Sequence, residues 1–378
     1  MLPFSIMNQY GNNIVFAKIK KISTGNNHVV VLGQDGTLYG RGRNTNGQLG
    51  LGDSNNRVDW TEIRTGVDDV WCSEFGVLIK NSDGTWMTSG IMRVMNSSAS
   101  TIFVDCTTAF NTLPAGVAIR QLVVSSRCIM VLLIDGTLWG VGENAYNELT
   151  GTGAKYGAFQ NLVTPSTAVK IFGGYQSMAY LDSEGKFYYT GIISGTNTSG
   201  GTSVSSFTLY TPVGTTYTVV DFKGSQSGCF FLVQRNGIYQ IYTGGSEFFG
   251  QLANNANSSN VRAPAVVASI PFTQPIYSFY SGYAYYSQHV VTSDGVYAAG
   301  QNNTSVYIGN LGLGTTTNAL TYSICPLSNI SDYSKVQVHH CFNRTYLLYG
   351  DNLYASGMDT TYSNITPSTT YVIDSPII

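Results

Sequence analysis

The stretch HVVVLGQDGTLYGRGRNTNGQLGLGD, His28 to Asp53, decides how the chain is read. Val29, Val30, Val31 and Leu32 run into Asp35-Gly36, and Leu38 and Tyr39 follow the pair. Strand formers on both sides of an Asp-Gly pair are the strongest local hairpin signal. A two-residue type I′ turn is expected there, with both central residues at positive φ. Gly42 then ends the returning strand, and Asn44, Gly47-Gln48-Leu49-Gly50 and Gly52 lead onward.

The same frame recurs along the chain. CIMVLLIDGTLWGVGENAYNELTGTG from Cys128 repeats it almost in full. Shorter versions start at Gly76, Ser177, Cys229, Ser287 and Asn343. The turn pairs are Asp35-Gly36, Asp83-Gly84, Asp135-Gly136, Glu184-Gly185, Asn236-Gly237, Asp294-Gly295 and a slipped Gly350-Asp351. A strand-ending glycine follows each of them: Gly42, Gly90, Gly142, Gly191, Gly244, Gly300 and Gly357. Seven hairpin-centred units of about 50 residues, none able to bury its faces alone, predict an all-β, seven-bladed β-propeller of four-stranded blades.

The expected repeats are 17–66, 67–116, 117–168, 169–217, 218–270, 271–327 and 328–378, one propeller domain, with 1–16 as a closing segment. An open ring would leave a bare sheet edge. One blade is therefore expected to combine both chain ends, with Asn13 to Lys18 and Tyr371 to Asp374 as the candidate strands. No full window shows helical periodicity. Residues 91–116 and 192–215 are expected to be long loops, where binding usually resides on a rigid scaffold.

The pattern His-x6-Asp-Gly-x-Leu-Tyr/Trp-x-x-Gly-x-Asn, followed by Gly-Gln-Leu-Gly-x-Gly, resembles the regulator of chromosome condensation repeat. His28 to Asp53 matches it almost in full and the third copy well. The fifth and sixth keep Gly250-Gln251-Leu252 and Leu311-Gly312-Leu313-Gly314. The resemblance implies seven four-stranded blades. It also implies that the position of His28 is held in later copies by Gly76, Cys128, Ser177, Cys229, Ser287 and Asn343. The family's best-known member is a guanine-nucleotide exchange factor on chromatin. No residue of this chain maps onto an exchange motif, so none is carried over.

Composition narrows the function. The 378 residues include 19 Lys+Arg and 21 Asp+Glu, 11% charged, against about 25% in an ordinary soluble domain. With a net charge of −2 there is no basic surface for gripping nucleic acid. Lys18, Lys20 and Lys21 alternate with apolar residues as on the solvent face of a strand. The start, MLPFSIMNQYGNN, has no basic n-region and does not read as a secretory signal. The longest apolar run, Cys128 to Ile134, is far shorter than the roughly 20 residues of a membrane span, so no membrane insertion is expected.

Catalytic, cofactor and metal sites are all expected to be absent. The six cysteines show no C-x-x-C spacing and read as buried free thiols. Cys128 and Cys229 occupy a repeated packing position, and His28 is expected to be hydrogen-bonded within its blade rather than catalytic. His339 and His340 are adjacent and must point to opposite faces of a strand, as must Asp68 and Asp69. Gly151-Thr-Gly-Ala-Lys155 lacks the spacing of a phosphate loop. The protein is expected to be a non-enzymatic structural or interaction protein. Few charges, abundant Ser, Thr, Asn, Gly and Tyr, and poorly kept repeats resemble the virion proteins of tailed bacteriophages. On that resemblance it is a tail-associated component made in a host cytoplasm, contacting other subunits and a host receptor or glycan. The alternative is a cytoplasmic adaptor or guanine-nucleotide exchange factor.

Overall fold

In a computed structural model of the chain, each repeat folds as a four-stranded antiparallel meander. The description covers residues 18–95, 98–193, 203–210, 217–225, 228–258, 260–267, 270–271, 275–281, 287–302, 309–341, 344–357 and 368–374. Blades 1 to 7 span 19–64, 67–105, 119–162, 168–209, 218–266, 276–324 and 337–373. The first strands of successive blades touch one another all the way round, and that of blade 7 touches that of blade 1. These strands line a central axis and the fourth strands form the rim. The chain is a seven-bladed β-propeller.

Why the second strands are so apolar follows from where the core lies. His28–Gly33 and Cys128–Leu133 are buried at every position, because each strand is covered on both faces by neighbouring blades. Seven apolar clusters result, each drawing side chains from two adjacent blades. Val30, Leu32 and Leu38 meet Val70, Val77 and Ile79 between blades 1 and 2. Phe187, Phe222 and Phe231 meet between blades 4 and 5. The core sits between repeats, so no blade is stable without the next.

The hairpins differ from expectation in turn type. In blades 1 to 4 only the glycine has positive φ: Gly36 at 82°, Gly84 at 89°, Gly136 at 84° and Gly185 at 76°. Gly36 N–H donates to Gly33 O at 3.1 Å and Gly33 N–H to Thr37 O at 2.8 Å, and the other three blades repeat the pattern. These are three-residue loops, a tight turn closed by a left-handed glycine. The aspartate precedes the glycine for a different reason from the one expected. Its side chain accepts from the amide two residues on, as Asp35 Oδ1 does from Thr37 N–H at 3.0 Å and Asp135 Oδ1 from Thr137 N–H at 2.9 Å. Asn236 and Gly237, at 51° and 79°, do form a two-residue turn with both φ positive. Gly295 is not in the left-handed region, while Gly350 is, at 61°.

Six strand-ending glycines, Gly42, Gly90, Gly142, Gly191, Gly300 and Gly357, take positive φ and pair with the first residue of the hairpin's opening strand or its equivalent. In blade 5 the left-handed residue is Gly245 at 118°, not Gly244, and its partner is Gly228. The repeated position expected at Cys229 is thus Gly228. In blade 7 it is Arg344, paired with Gly357; Asn343 lies outside the described residues. The extra residue in blade 5 and the slipped turn in blade 7 had displaced both alignments by one.

Segment 91–116 is shorter in loop than expected. It contains the rim strand Ser100–Asp105 and a one-turn helix, Thr107–Phe110, whose Phe110 stacks on Trp86 at 3.9 Å between ring centroids. Of 192–215, Val204–Leu209 is the rim strand of blade 4, and 194–202 and 211–215 lie outside the described residues.

The ring also closes differently. Among the described residues every blade takes its four strands consecutively, and Tyr371 belongs to the rim strand Ser368–Ile373 of blade 7. Residues 13–17 of the other candidate strand lie outside the description. Blades 7 and 1 meet through side chains rather than by sharing a sheet. Arg41 grips Asp374 with both terminal nitrogens, Nη1 at 3.1 Å from Oδ1. Arg41 also donates to Tyr346 Oη at 3.0 Å and lies 4.6 Å from the Trp60 ring. Arg344 Nη1 is 3.6 Å from the same carboxylate.

Candidate interaction face

In a meander, the link between first and second strands emerges at the same end as the link between third and fourth. One end of the ring therefore carries all the short inner turns and all the long outer connections. Hairpin tips and blade-to-blade crossovers occupy the other end. Sequence reasoning placed the loops but not this segregation, which follows from strand order alone.

The family-like tails explain how these connections are held. Asn44 Oδ1 accepts from Leu49 N–H at 2.8 Å while its Nδ2 donates to Asp53 O at 2.9 Å, folding 44–53 into a fixed loop. Asn144 and Asn302 do the same in blades 3 and 6. Glu247 replaces them in blade 5, and there burial opposes the charge. Hydrogen bonds from Ser258 and Asn254 and the Arg262 guanidinium outweigh it, holding the carboxyl below its ordinary range.

Each loop then latches onto the following blade. Gly52 N–H donates to Thr101 O at 2.8 Å, Asn255 N–H to Leu320 O at 2.9 Å and Gly314 N–H to Thr369 O at 2.7 Å. The acceptors belong to rim strands, so the latches cover edges that would otherwise be bare. A hydroxyl one residue before the strand-ending glycine secures the contact, Ser89 Oγ to Gln48 O at 2.7 Å and Thr190 Oγ1 to Asn147 O at 2.7 Å. Gly47 is required there, because a Cβ would lie 2.4 Å from Thr101 Cα. In blade 1 the hydroxyl position is Arg41, the residue that binds Asp374.

Nearer the axis, Glu74 of blade 2 ties together blades 1 to 4. It accepts from Ser126 Oγ at 2.5 Å and Tyr175 Oη at 3.1 Å, and its carbonyl accepts from Asn26 N–H at 3.1 Å. Glu143 holds Arg127 at 2.9 Å and also Arg93. Arg43 lies over Phe75 at 5.7 Å. Beyond these paired charges the loops present Thr45, Asn55, Asn254 and Asn255, with Phe248 45% exposed. Among the described residues the face is largely uncharged and polar, with the Phe248 ring projecting from it.

The channel wall is a belt of charge and amide groups reaching from blade to blade. Lys21 Nζ donates to Asp69 at 2.7 Å, Gln121 exchanges two hydrogen bonds with the Ile171 backbone, and Lys170 Nζ donates to Val220 O at 2.7 Å. Lys20 and Lys80 pair with Asp68. Lys20 and Lys21 are thus paired across the first blade boundary, and Asp68 and Asp69, expected to diverge, both reach adjacent lysines of blade 1 where their strand bulges between Val67 and Asp69. A cavity of about 350 Å³ opens on this wall beside Trp71, Val123, Phe172 and Lys223.

Among the described residues no three His, Cys, Asp or Glu side chains converge on a metal position. All six cysteines are buried and free. Burial raises the thiols of Cys72 and Cys106 to about 12 and those of Cys128, Cys229 and Cys325 above their ordinary value. His339 lies against Tyr280 and His340 against His289, both of blade 6. The 4.8 Å approach of His340 to His289 had no sequence signal. Among the described residues no helix is long and apolar enough to cross a membrane.

Fold and loops together define a propeller built from latched hairpin repeats. Residues 19–48 match the family model of the Regulator of chromosome condensation (RCC1) repeat. Prp20p from Saccharomyces cerevisiae is similar in structure, with a TM-score of 0.67 at 15% identity over 85% of this chain and 79% of that one. Human WBSCR16 follows at 0.53 and 17%, covering 66% and 67%. Yeast RCC1 (Prp20) in its complex with Kap60 gives 0.58 and 15%, covering 94% and 75%. No curated protein sequence matches the chain. The likeness to these structures is one of fold.

Proposed function

We propose that the protein is a non-enzymatic interaction platform whose loop-bearing end binds protein partners within a larger assembly. The observation that carries this reading is the gathering of every connection between third and fourth strands at one end of a ring held rigid by seven inter-blade cores. Latches fix the loops, so little ordering entropy is lost on binding. Uncharged polar groups and aromatics suit wet, extensive interfaces. Prp20p, the structural neighbour above, binds Gsp1p, histones and Kap60, which supports proteins as the partner class.

The assembly we infer is a tailed-bacteriophage virion, with the propeller tail-associated and a host receptor or glycan as a further contact. Its support is compositional: 11% charged residues with 42 Gly and 26 Tyr. Mass spectrometry of purified particles is expected to find the protein in fixed stoichiometry with tail subunits; its absence from particles overturns the inference. A cytoplasmic exchange factor is the other reading. It predicts accelerated nucleotide release from a small GTPase, and no acceleration across candidate GTPases counts against it.

A further inference from the structure

All four histidines of the chain lie on blades 6, 7 and 1: His289 on blade 6, His339 and His340 on blade 7, and His28 on blade 1. Two of them meet across the seam between blades 6 and 7, where the His289 and His340 rings are 4.8 Å apart. Tyr371 Oη is 3.0 Å from His289 Nε2, Leu311 O is 3.2 Å from the same nitrogen, and Ser287 Oγ and Thr345 Oγ1 are 3.4 and 3.5 Å from His340 Nδ1. The His28 ring lies elsewhere, beside Gly76 at the boundary of blades 1 and 2.

The charges acting on these imidazoles share one sign. Arg43 acts on His28, Lys21 and Lys223 on His339, and the histidines on one another; no carboxylate acts on any of them. His289 Nδ1 and His340 Nε2 are shielded from water without a hydrogen-bond partner, so an imidazolium on either ring would bury an N–H with nothing to accept it. Blades 2 to 5 carry no histidine at all.

We propose that the seam between blades 6 and 7 is opened by acid: protonation of His289 and His340, whose rings meet across it, parts the two blades while blades 2 to 5 stay packed on one another. Direction and window follow from linkage. Burial lowers His289 to about 4 in the closed ring and holds His340 well below its ordinary value, whereas an exposed imidazole titrates near 6.5. The open form therefore binds more protons below about pH 6.5, and each buried histidine favours opening by about tenfold per pH unit down to about pH 4. Above that window the histidines are neutral in both forms and the ring stays shut.

Hydrogen exchange of the full chain, followed by mass spectrometry and corrected for intrinsic rates, tests this between pH 7.5 and 4.5. Peptides from 287–300 and 337–357 are expected to lose protection at higher pH than peptides from 119–133 and 168–182. His289→Gln combined with His340→Gln is expected to move that loss down by about one pH unit. Simultaneous loss in all blades, or an unchanged onset in the double variant, overturns the proposal. Should the double variant not fold, imidazole NMR of the wild-type chain decides. His289 and His340 titrating near 6.5 with blade 7 still protected would also overturn it.

Discussion

Removing the carboxylate of Asp374 is the sharpest perturbation the ring offers. Asp374 and Arg344 are 4% and 2% exposed, and the Arg41 side chain 3%. Asp374→Ala leaves two guanidinium groups buried together with no counter-charge, and burial does not neutralise arginine. Breaking a buried pair in this way costs about 3–5 kcal/mol. At about 2.1 cal/mol/K per residue, unfolding a chain of this length carries about 0.8 kcal/mol/K of entropy, so the loss corresponds to a fall of about 4–6 °C in Tm. Calorimetry at neutral pH measures it directly. Asp374→Asn keeps the shape and removes the charge, and it is expected to lose most of the same amount. Arg41→Met leaves Asp374 facing Arg344 as a neutral pair and is expected to lose less. A Tm for Asp374→Ala within about 1 °C of the parent would refute the claim that this contact closes the ring.

Three further outcomes follow from local geometry. Thr150 holds φ of 60° where Gly50 and Gly312 stand in other blades; because left-handed backbone costs a β-branched residue about 1–2 kcal/mol, Thr150→Gly is expected to stabilise by about 1 kcal/mol in urea titration. Gly136→Val adds a Cβ 2.4 Å from Thr167 Cγ2 at φ of 84°, whereas Gly84 at 89° has nothing within 4 Å. The first is therefore expected to cost about 3 kcal/mol and Gly84→Ala about 1–2. Equal Tm values for the two would contradict the placement of the third hairpin. With every cysteine buried and free, thiol reagent at neutral pH is expected to label none of the six rapidly and all of them after denaturation.

The repeat was legible because its chemistry is local. Strand formers around Asp-Gly and Asn-Gly pairs, and a glycine ending each returning strand, are constraints that neighbouring residues impose on one another. Turn type was not legible, since Asp35 supports its loop through a side-chain bond to Thr37 rather than by adopting positive φ. Alignment of Cys229 and Asn343 failed where one residue had been gained or slipped; only pairing across the sheet places Gly228 and Arg344. The closure and the histidine pair lay out of reach for a different reason. Arg41 and Asp374 are 333 positions apart, and His289 and His340 meet only because the ring brings blade 6 against blade 7. Composition made the near-absence of an electrostatic surface plain, but strand order was needed to put the long loops at one end.

The central claim is that partners bind the loop-bearing end. Hydrogen exchange of the protein in its native assembly, compared with the isolated chain, tests it most directly. The account predicts added protection in 44–56, 143–154 and 246–258, with the hairpin tips around Gly36, Gly84 and Gly136 unchanged. Protection confined to those tips, or equal exchange throughout, would contradict it.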